Sequence, residues 1–136
     1  MKIYVLTLFP NEMKTFFCKG IFNKAIQNGC FECEFINIRD FSEDKHQKVD
    51  DYPYGMHRGM LLKANVLKRA ILSIDQFEDY PILYTCPKGQ TFAQEMAKTY
   101  STQKGLIIIC GYYEGVDERI FELFNIQKVS LGHFVL

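Results

Sequence analysis

The residues best suited to chemistry lie in one glycine-flanked turn, between Gly111 and Gly115. Either glycine can adopt a positive φ or let a ligand approach the backbone closely. Between them, the Glu114 carboxylate could bind ribose hydroxyls or an amine, and Tyr113 is unusual for a simple connector. The turn follows the apolar run 106–109, which predicts a strand buried on both faces. Such a strand-end turn is where α/β sheets bind ligands, although a tight strand-to-helix connector with incidental polar residues fits the same pattern.

Two further turns, 84–89 and 130–136, follow the predicted strands 81–85 and 126–129. In a parallel sheet all three turns can meet at one edge, where their backbone amides and carbonyls form a crevice. Such a crevice suits an adenosine-like ligand. The chain has neither GxGxxG nor GxxxxGK[ST], so dinucleotide and triphosphate sites lack their phosphate-binding glycines. It also has no local signature of a Ser–His–Asp or Cys–His nucleophile.

Strands alternate with helices along the chain, which predicts an α/β fold with a mainly parallel sheet and right-handed crossovers. The other predicted strands are 2–9, 31–38 and 106–110, with 31–38 nearer an edge. Predicted helices are 11–20, 21–27, 61–73, 91–100 and 117–124. Asn11 is expected to cap the first of them, and Thr91 with Gln94 to form a capping box.

Length and composition predict one globular domain, with 136 residues, 48% of them hydrophobic and 24% charged. No apolar run is long enough to span a bilayer and no signal-peptide pattern is present, so we expect a cytoplasmic protein. The formal net charge of zero argues against nucleic-acid binding, but the basic segment 45–69 could contact phosphates or be a solvated surface. Five cysteines make an odd count, which predicts free thiols and a structural role for the CxxC at 30–33.

The stretch 39–59 has no helical or strand periodicity, and loops of this length are often functional. Its acidic residues and histidine could form a metal or acid–base cluster, and a charged surface loop is the plainer alternative. These residues are Asp40, Asp44, His46, Asp50 and Asp51.

Several segments of the sequence resemble the motifs of the bacterial tRNA (guanine-N1)-methyltransferases, members of the SPOUT superfamily of knotted methyltransferases. The segments are CGYYEGVDER at 110–119, KH, VDD, PYG and GM between 45 and 60, and LTLFP, GIFNKAI and INIRDF in the first third. The match covers nearly the whole chain. The chain departs from the family pattern at Met56, His57, Arg58, Cys86, Tyr112 and His133.

The resemblance implies a SPOUT-type α/β knot domain over residues 1–136 that binds S-adenosyl-L-methionine at the three turns. The implied cofactor-binding residues are Tyr84, Thr85, Cys86, Pro87, Gly111, Tyr113, Glu114, Gly115, Ser130, Leu131, Gly132, His133, Phe134, Val135 and Leu136. The implied tRNA-binding residues are His46, Asp50, Pro53, Tyr54, Gly55, Gly59 and Met60. No metal site is predicted.

The implied reaction is methyl transfer to N1 of the guanine 3′ of the tRNA anticodon, in a homodimer. A general base must remove the N1 proton, and the guanine must leave its stack. The resemblance puts this base, the segment that threads the knot and the C-terminal tRNA-binding domain beyond Leu136. The chain thus looks like a truncated N-terminal part. The alternatives are a non-catalytic RNA-binding or dimerisation module derived from the family, and an unrelated nucleotide-binding α/β domain.

The 136-residue chain alone should therefore show no guanine-N1 methylation above background. The reason is that the residue expected to remove the N1 proton lies outside it. A transfer assay on unmodified tRNA measures this directly. Turnover by the purified chain would show that the catalytic base lies within residues 1–136.

Overall fold

The computed structural model describes residues 1–43, 49–51, 61–111 and 115–134, with only the backbone of Asp50 and Asp51. In chain order its strands and α-helices are β1 (Lys2–Thr7), α1 (Pro10–Phe17), α2 (Gly20–Gln27), β2 (Glu32–Asn37), β3 (Asp50–Asp51), β4 (Leu61–Leu62), α3 (Ala64–Leu72), β5 (Ile82–Thr91), α4 (Gln94–Ser101), β6 (Gly105–Cys110), β7 (Gly115–Val116), α5 (Ile120–Leu123) and β8 (Ile126–Ser130). Short 3-10 helices occupy Ile38–Phe41 and Phe77–Asp79.

Within these residues a five-stranded sheet has the order β2-β1-β6-β5-β8, and every neighbouring pair is parallel. The predicted α/β fold with a mainly parallel sheet is confirmed, as is the edge position of β2. The strands β3, β4 and β7 form a separate three-stranded sheet in that order. All five cysteines lie in the described segments and are free. No helix among the described residues is long and apolar enough to cross a membrane.

Helices cover both faces of the large sheet, and the strand order explains which helix covers which face. Steps from β1 to β2 and from β5 to β6 run one way along the sheet, whereas β2 to β5 and β6 to β8 run the other way. Crossovers of one hand therefore put α1, α2 and α4 on one face and α3 and α5 on the other. Contacts agree, since Phe17 of α1 packs on Phe35 and Met96 of α4 packs with Leu83.

The α3 face carries the main core. Completely or almost completely buried side chains come from the central strands, from β4 and from α3, and they form one cluster. Of the residues that the 61–73 pattern predicts to face inward, Val66, Leu67, Ala70 and Ile71 are buried on α3, and Leu62 is buried on β4. Apolar groups line both faces of β6, with Ile107 in this cluster and Leu106 in the cluster beneath α4.

Four local predictions were wrong. Residues 61 and 62 form β4, so α3 begins at Ala64, and α5 begins at Ile120, after a turn at 118–119. Phe9 precedes α1 and Pro10 is its first residue, so Asn11 is not the cap; its carbonyl accepts a hydrogen bond from Thr15 Oγ1. The capping box is absent, because Thr91 is still in β5 and α4 follows Ala93 without a side-chain cap.

The predicted turn at 86–89 is an interruption inside β5. Val129 of β8 pairs with both Thr85 and Gln90, so the residues between them bulge out of the ladder before the strand resumes. Gly89 lies where the bulge returns to β8: a Cβ built there would be 2.5 Å from Val129 N and 2.6 Å from Lys128 C. Both atoms belong to backbone, so no side chain at residue 89 fits without moving β8.

Gly89→Ala should therefore destabilise the fold, because overpacked sites cost about 1–3 kcal/mol of unfolding free energy. Gly111→Ala is the comparison variant and should cost less, since the atoms nearest to its added Cβ belong to the Tyr84 side chain, at 3.1 Å, and a side chain can shift where the backbone of β8 cannot. Urea unfolding of both variants measures the difference. Equal midpoints would contradict the close approach of the bulge to β8.

Candidate functional site

The large sheet brings the three predicted turns to one edge. Thr85 pairs with Cys110 of β6 and with Val129 of β8, so β6 and β8 reach the same level as the bulge of β5. Beyond this level lie the bulge, Gly111 and Ser130. The residues of the bulge and Gly111 lie outside the ladder pairs, so their backbone groups are available to a ligand, whereas Ser130 pairs with Thr91 of β5.

The side chain of Tyr84 connects two of these turns. It is buried, and its ring centroid lies 5.8 Å from that of Phe121, next to α5. A Cβ built at Gly111 would be 3.1 Å from both Cε2 and Oη of Tyr84. A Cβ built at Gly115 would be 4.0 Å from the same Oη. Tyr84 therefore fills the space beside both glycines, and Gly111 has no room for a side chain unless the ring moves.

Gly115 has the backbone conformation that favours glycine, with φ of +151°. Its built Cβ would be 3.9 Å from Leu61 Cδ2, which is ordinary contact. A side chain at residue 115 is therefore disfavoured by backbone strain rather than by space. At Gly111, in contrast, the obstacle to a side chain is the ring of Tyr84.

A hydrogen-bonded turn closes β8. Ser130 is buried, and its Oγ donates to the Gly132 carbonyl at 2.8 Å and accepts from the Gly132 amide at 3.2 Å. The Ser130 carbonyl accepts a hydrogen bond from Phe92 N at 2.7 Å, which ties the turn to the end of β5. Leu131 and Phe134 are 68% and 55% exposed, so the turn presents apolar side chains to solvent. His133 is exposed as well.

The β5 turn offers less side-chain chemistry. Thr85 Oγ1 lies 3.5 Å from the Ile109 carbonyl, Cys86 is half-buried against the main core, and Pro87 is exposed. On β6, burial raises the pKa of the Cys110 thiol. The raised pKa disfavours the thiolate, so Cys110 is a poor nucleophile.

A polar cleft of about 720 Å³ lies beside this edge, between β4, α3 and the segment after β7. Its charged and amide side chains are Lys63, Asn65, Lys68, Asp117, Arg119 and Glu122. Lys63 and Lys68 belong to the basic segment 45–69 that the sequence offers as a possible phosphate contact, whereas no predicted site includes Asn65, Asp117, Arg119 and Glu122. The available signal was the run 117–119 directly after the glycine turn, which carries two acids and an arginine.

Asp117 and Arg119 are fixed to each other in this cleft. Arg119 Nε donates to both Asp117 carboxylate oxygens at 3.0 Å, and the Arg119 amide donates to Oδ1 at 3.1 Å. The Asp117 side chain is only 15% exposed. Hydrogen bonds from Arg119 lower the pKa of Asp117 against the opposing effect of burial. A carboxylate held in its ionised form in this way is a weak general base.

A family model described as tRNA (guanine-1)-methyltransferase TrmD matches residues 1–136, the whole chain. The chain belongs to this family. The resemblance drawn from the sequence motifs along the chain is therefore confirmed. The α/β sheet described above is the fold expected for it.

Similar curated proteins carry the name tRNA (guanine-N(1)-)-methyltransferase. Those of Clostridium perfringens strain SM101 and Clostridium novyi are each 45% identical to this chain over 136 residues, and that of Clostridioides difficile is 37% identical over 139. Each alignment includes the whole of this chain. The chain spans 57%, 56% and 60% of the three relatives.

Several of the residues predicted to bind the cofactor or the tRNA lie outside the described residues. They are Tyr113, Glu114, Val135 and Leu136 of the cofactor set and His46, Pro53, Tyr54, Gly55, Gly59 and Met60 of the tRNA set. Asp50 is described through its backbone, which pairs with Leu62. In the described part of the chain, no three His, Cys, Asp or Glu side chains are grouped as metal ligands would be.

The ionisation of Tyr84, a buried residue, generates a pH prediction. Burial raises its pKa to about 12, and electrostatic interactions with Cys86 and Glu118 act in the same direction. An unfolded tyrosine ionises near pH 10, so the folded state holds this proton more tightly. Its stabilising contribution is complete below pH 10 and is lost as the pH rises through 12.

Tyr84→Phe should therefore lose stability less steeply than the wild type between pH 9 and pH 11. Urea unfolding at both pH values measures the slope, and any constant effect of the lost hydroxyl cancels within each protein. Parallel declines of the two proteins would show that Tyr84 does not ionise in this range on unfolding.

Proposed function

We propose that this chain forms the cofactor-binding part of an S-adenosyl-L-methionine-dependent tRNA methyltransferase. The proposed reaction transfers a methyl group to N1 of the guanine that lies 3′ of the anticodon, in the cytoplasm. The match of all 136 residues to the TrmD family supports this proposal more than any other observation. The names of similar proteins point to the same modified atom.

The strand-end edge has the features that an adenosine-containing cofactor requires. Backbone groups of the β5 bulge and of the residues after β6 and β8 are grouped there, and Gly111 leaves the backbone exposed where a side chain would displace Tyr84. Leu131 and Phe134 offer exposed apolar surface beside these polar groups. A combination of apolar walls and a few backbone donors and acceptors is typical of small-molecule sites.

We therefore assign cofactor binding to the described turn residues. Gly111 and Gly115 would let the ligand approach the backbone, and the Tyr84 side chain would pack beside both glycines. The turn closed by the hydrogen bond between Ser130 and Gly132 would form the opposite wall of the site. When bound, S-adenosyl-L-methionine supplies a methyl group on a sulfonium centre. The substitutions of Cys86 and His133 for the family's serine and aspartate are expected to weaken this site.

The residues of this chain contribute to the proposed reaction by binding and orientation. We assign no catalytic base to these residues. Hydrogen bonds from Arg119 lower the pKa of Asp117 and make it a weak base, and burial raises the pKa of Cys110, so its thiolate is disfavoured. For the tRNA, we retain the predicted contacts, which are His46, Asp50, Pro53, Tyr54, Gly55, Gly59 and Met60. Lys63 and Lys68 line the neighbouring cleft and add cations that could contact phosphates.

A homodimer is part of the proposal. Large apolar side chains are exposed in several regions, among them Phe16 and Ile21 on the first two helices and Leu131 and Phe134 on the edge. Apolar surface of this kind is a common mark of a protein interface. Sedimentation over a wide range of concentrations measures self-association, and a persistent monomer would contradict the dimer.

The decisive experiment is calorimetric titration of the chain with S-adenosylhomocysteine, the reaction's product form of the cofactor. We expect micromolar binding by the wild type and loss of the binding heat in Gly111→Val. The added side chain would press on Tyr84, whose ring is 3.1 Å from the built Cβ. A strain of about 1–3 kcal/mol expressed on binding corresponds to roughly five- to 150-fold weaker affinity.

Ala25→Val is a suitable control, since it adds bulk on α2, outside the strand-end turns. It should bind like the wild type, and far-UV circular dichroism should be nearly the same for all three proteins. Loss of fold in Gly111→Val would mean that the turn is structural. A folded wild type that binds no cofactor but retains tRNA would favour the non-catalytic RNA-binding module.

A further inference from the structure

The strand β4 joins two segments that the proposed function treats separately. On one side Asp50 and Asp51 of β3 pair antiparallel with Leu62 and Leu61. On the other side, Gly115 and Val116 of β7 pair parallel with the same two leucines. The two-residue strand β4 is thus paired on one side with a segment predicted to bind tRNA. On its other side it is paired with the end of the predicted cofactor turn.

Hydrogen bonds extend each ladder by one residue. The Lys63 amide donates to the Val49 carbonyl at 2.7 Å, next to β3. The Asp117 amide donates to the Leu62 carbonyl at 3.0 Å, directly after β7. These two amides report on the two sides of β4, because each loses its partner if the corresponding strand separates.

The small sheet is fixed to the main core through one buried side chain from each segment. Val49 and Leu62 are completely buried, Val116 is 5% exposed, and all three belong to the main cluster with Ile107 and Ile109. Leu62 is the middle member, since its strand pairs with both neighbours. Leu61, the residue before it, is close to Gly115: its Cδ2 would lie 3.9 Å from a Cβ built there.

We propose that Leu62 is a positioning residue that sets the cofactor turn at Gly115 and the substrate segment at Asp50 in one fixed relation. This inference rests on the proposed function, because both segments take their roles from it. A ligand that orders one side of β4 then orders the other, since both sides pair with the same buried strand. Leu62 contacts no reacting atom and acts through the position of its neighbours.

Hydrogen exchange of the Lys63 and Asp117 amides tests the proposal, with S-adenosylhomocysteine as the probe. In the wild type, the ligand should slow exchange at Asp117 and also at Lys63, on the far side of β4. In Leu62→Ala, both amides should exchange faster without ligand. The ligand should bind at least about fivefold more weakly, the lower end of typical coupling between sites.

Leu67→Ala is the matched control. Leu67 is 1% exposed and lies in the same cluster, but it belongs to α3 and not to the small sheet. It should lose general stability without selective exchange at the two amides and without the loss of affinity. Leu62→Met should restore wild-type exchange and binding. If either alanine variant fails to fold, the pair Leu62→Val and Leu67→Val makes the same comparison.

The outcomes separate the two proposals. Binding by the wild type with equal losses in the Leu62 and Leu67 variants, or with no change at the Lys63 amide, would overturn the role of Leu62 and leave cofactor binding intact. Absence of binding by the folded wild type would overturn the proposed function and this role with it. Selective loss in Leu62→Ala, with rescue by Leu62→Met, supports the positioning role.

Discussion

The in-register parallel pairing of β6 with both of its neighbours is the interaction on which the rest of the structure depends. Ile109 pairs with Leu6 on one side and with Tyr84 on the other, so the ends of β1 and β6 and the bulge of β5 lie at nearly the same level. A change of register by one residue would turn each buried side chain to the opposite face. It would also move Tyr84 away from Gly111, and the strand-end turns would no longer meet at one edge.

Local sequence patterns predicted the central elements well and the short ones badly. The run 106–109 contains only apolar residues because β6 is buried on both faces, and this leaves no ambiguity about its environment. Leu61 and Leu62, in contrast, continue the apolar spacing of α3, and one of their two partner strands, β7, lies more than 50 positions away in sequence. No local pattern records such a partner. The residue types at 86–89 correctly predicted a turn. They could not show that the chain returns to pair with β8, because this depends on the close approach of Gly89 to the backbone of that strand.

The sequence could predict that the three turns of the candidate site meet at one edge of the sheet. It could not predict the side-chain contacts between them. Parallel topology alone places the ends of β5, β6 and β8 together, so the three turns could be chosen from sequence. The contact of Tyr84 with Gly111 requires knowledge of side-chain direction across two strands. The polar cleft was missed because its charges come from two distant segments. In sequence, Lys63 and Lys68 have the spacing of a solvated helix surface, and Asp117 and Arg119 look like a helix start.

The pairing of β1 has a consequence for how the chain folds during its synthesis. One partner, β2, leaves the ribosome soon after β1, but the other, β6, is made about 100 residues later. At ordinary translation rates this delay is about 5 to 20 s. Throughout that time the inner edge of β1 has unpaired backbone groups next to the buried residues Val5 and Leu6. An apolar open edge is a template for pairing with another chain, so the nascent protein presents a binding surface for chaperones that the finished sheet conceals.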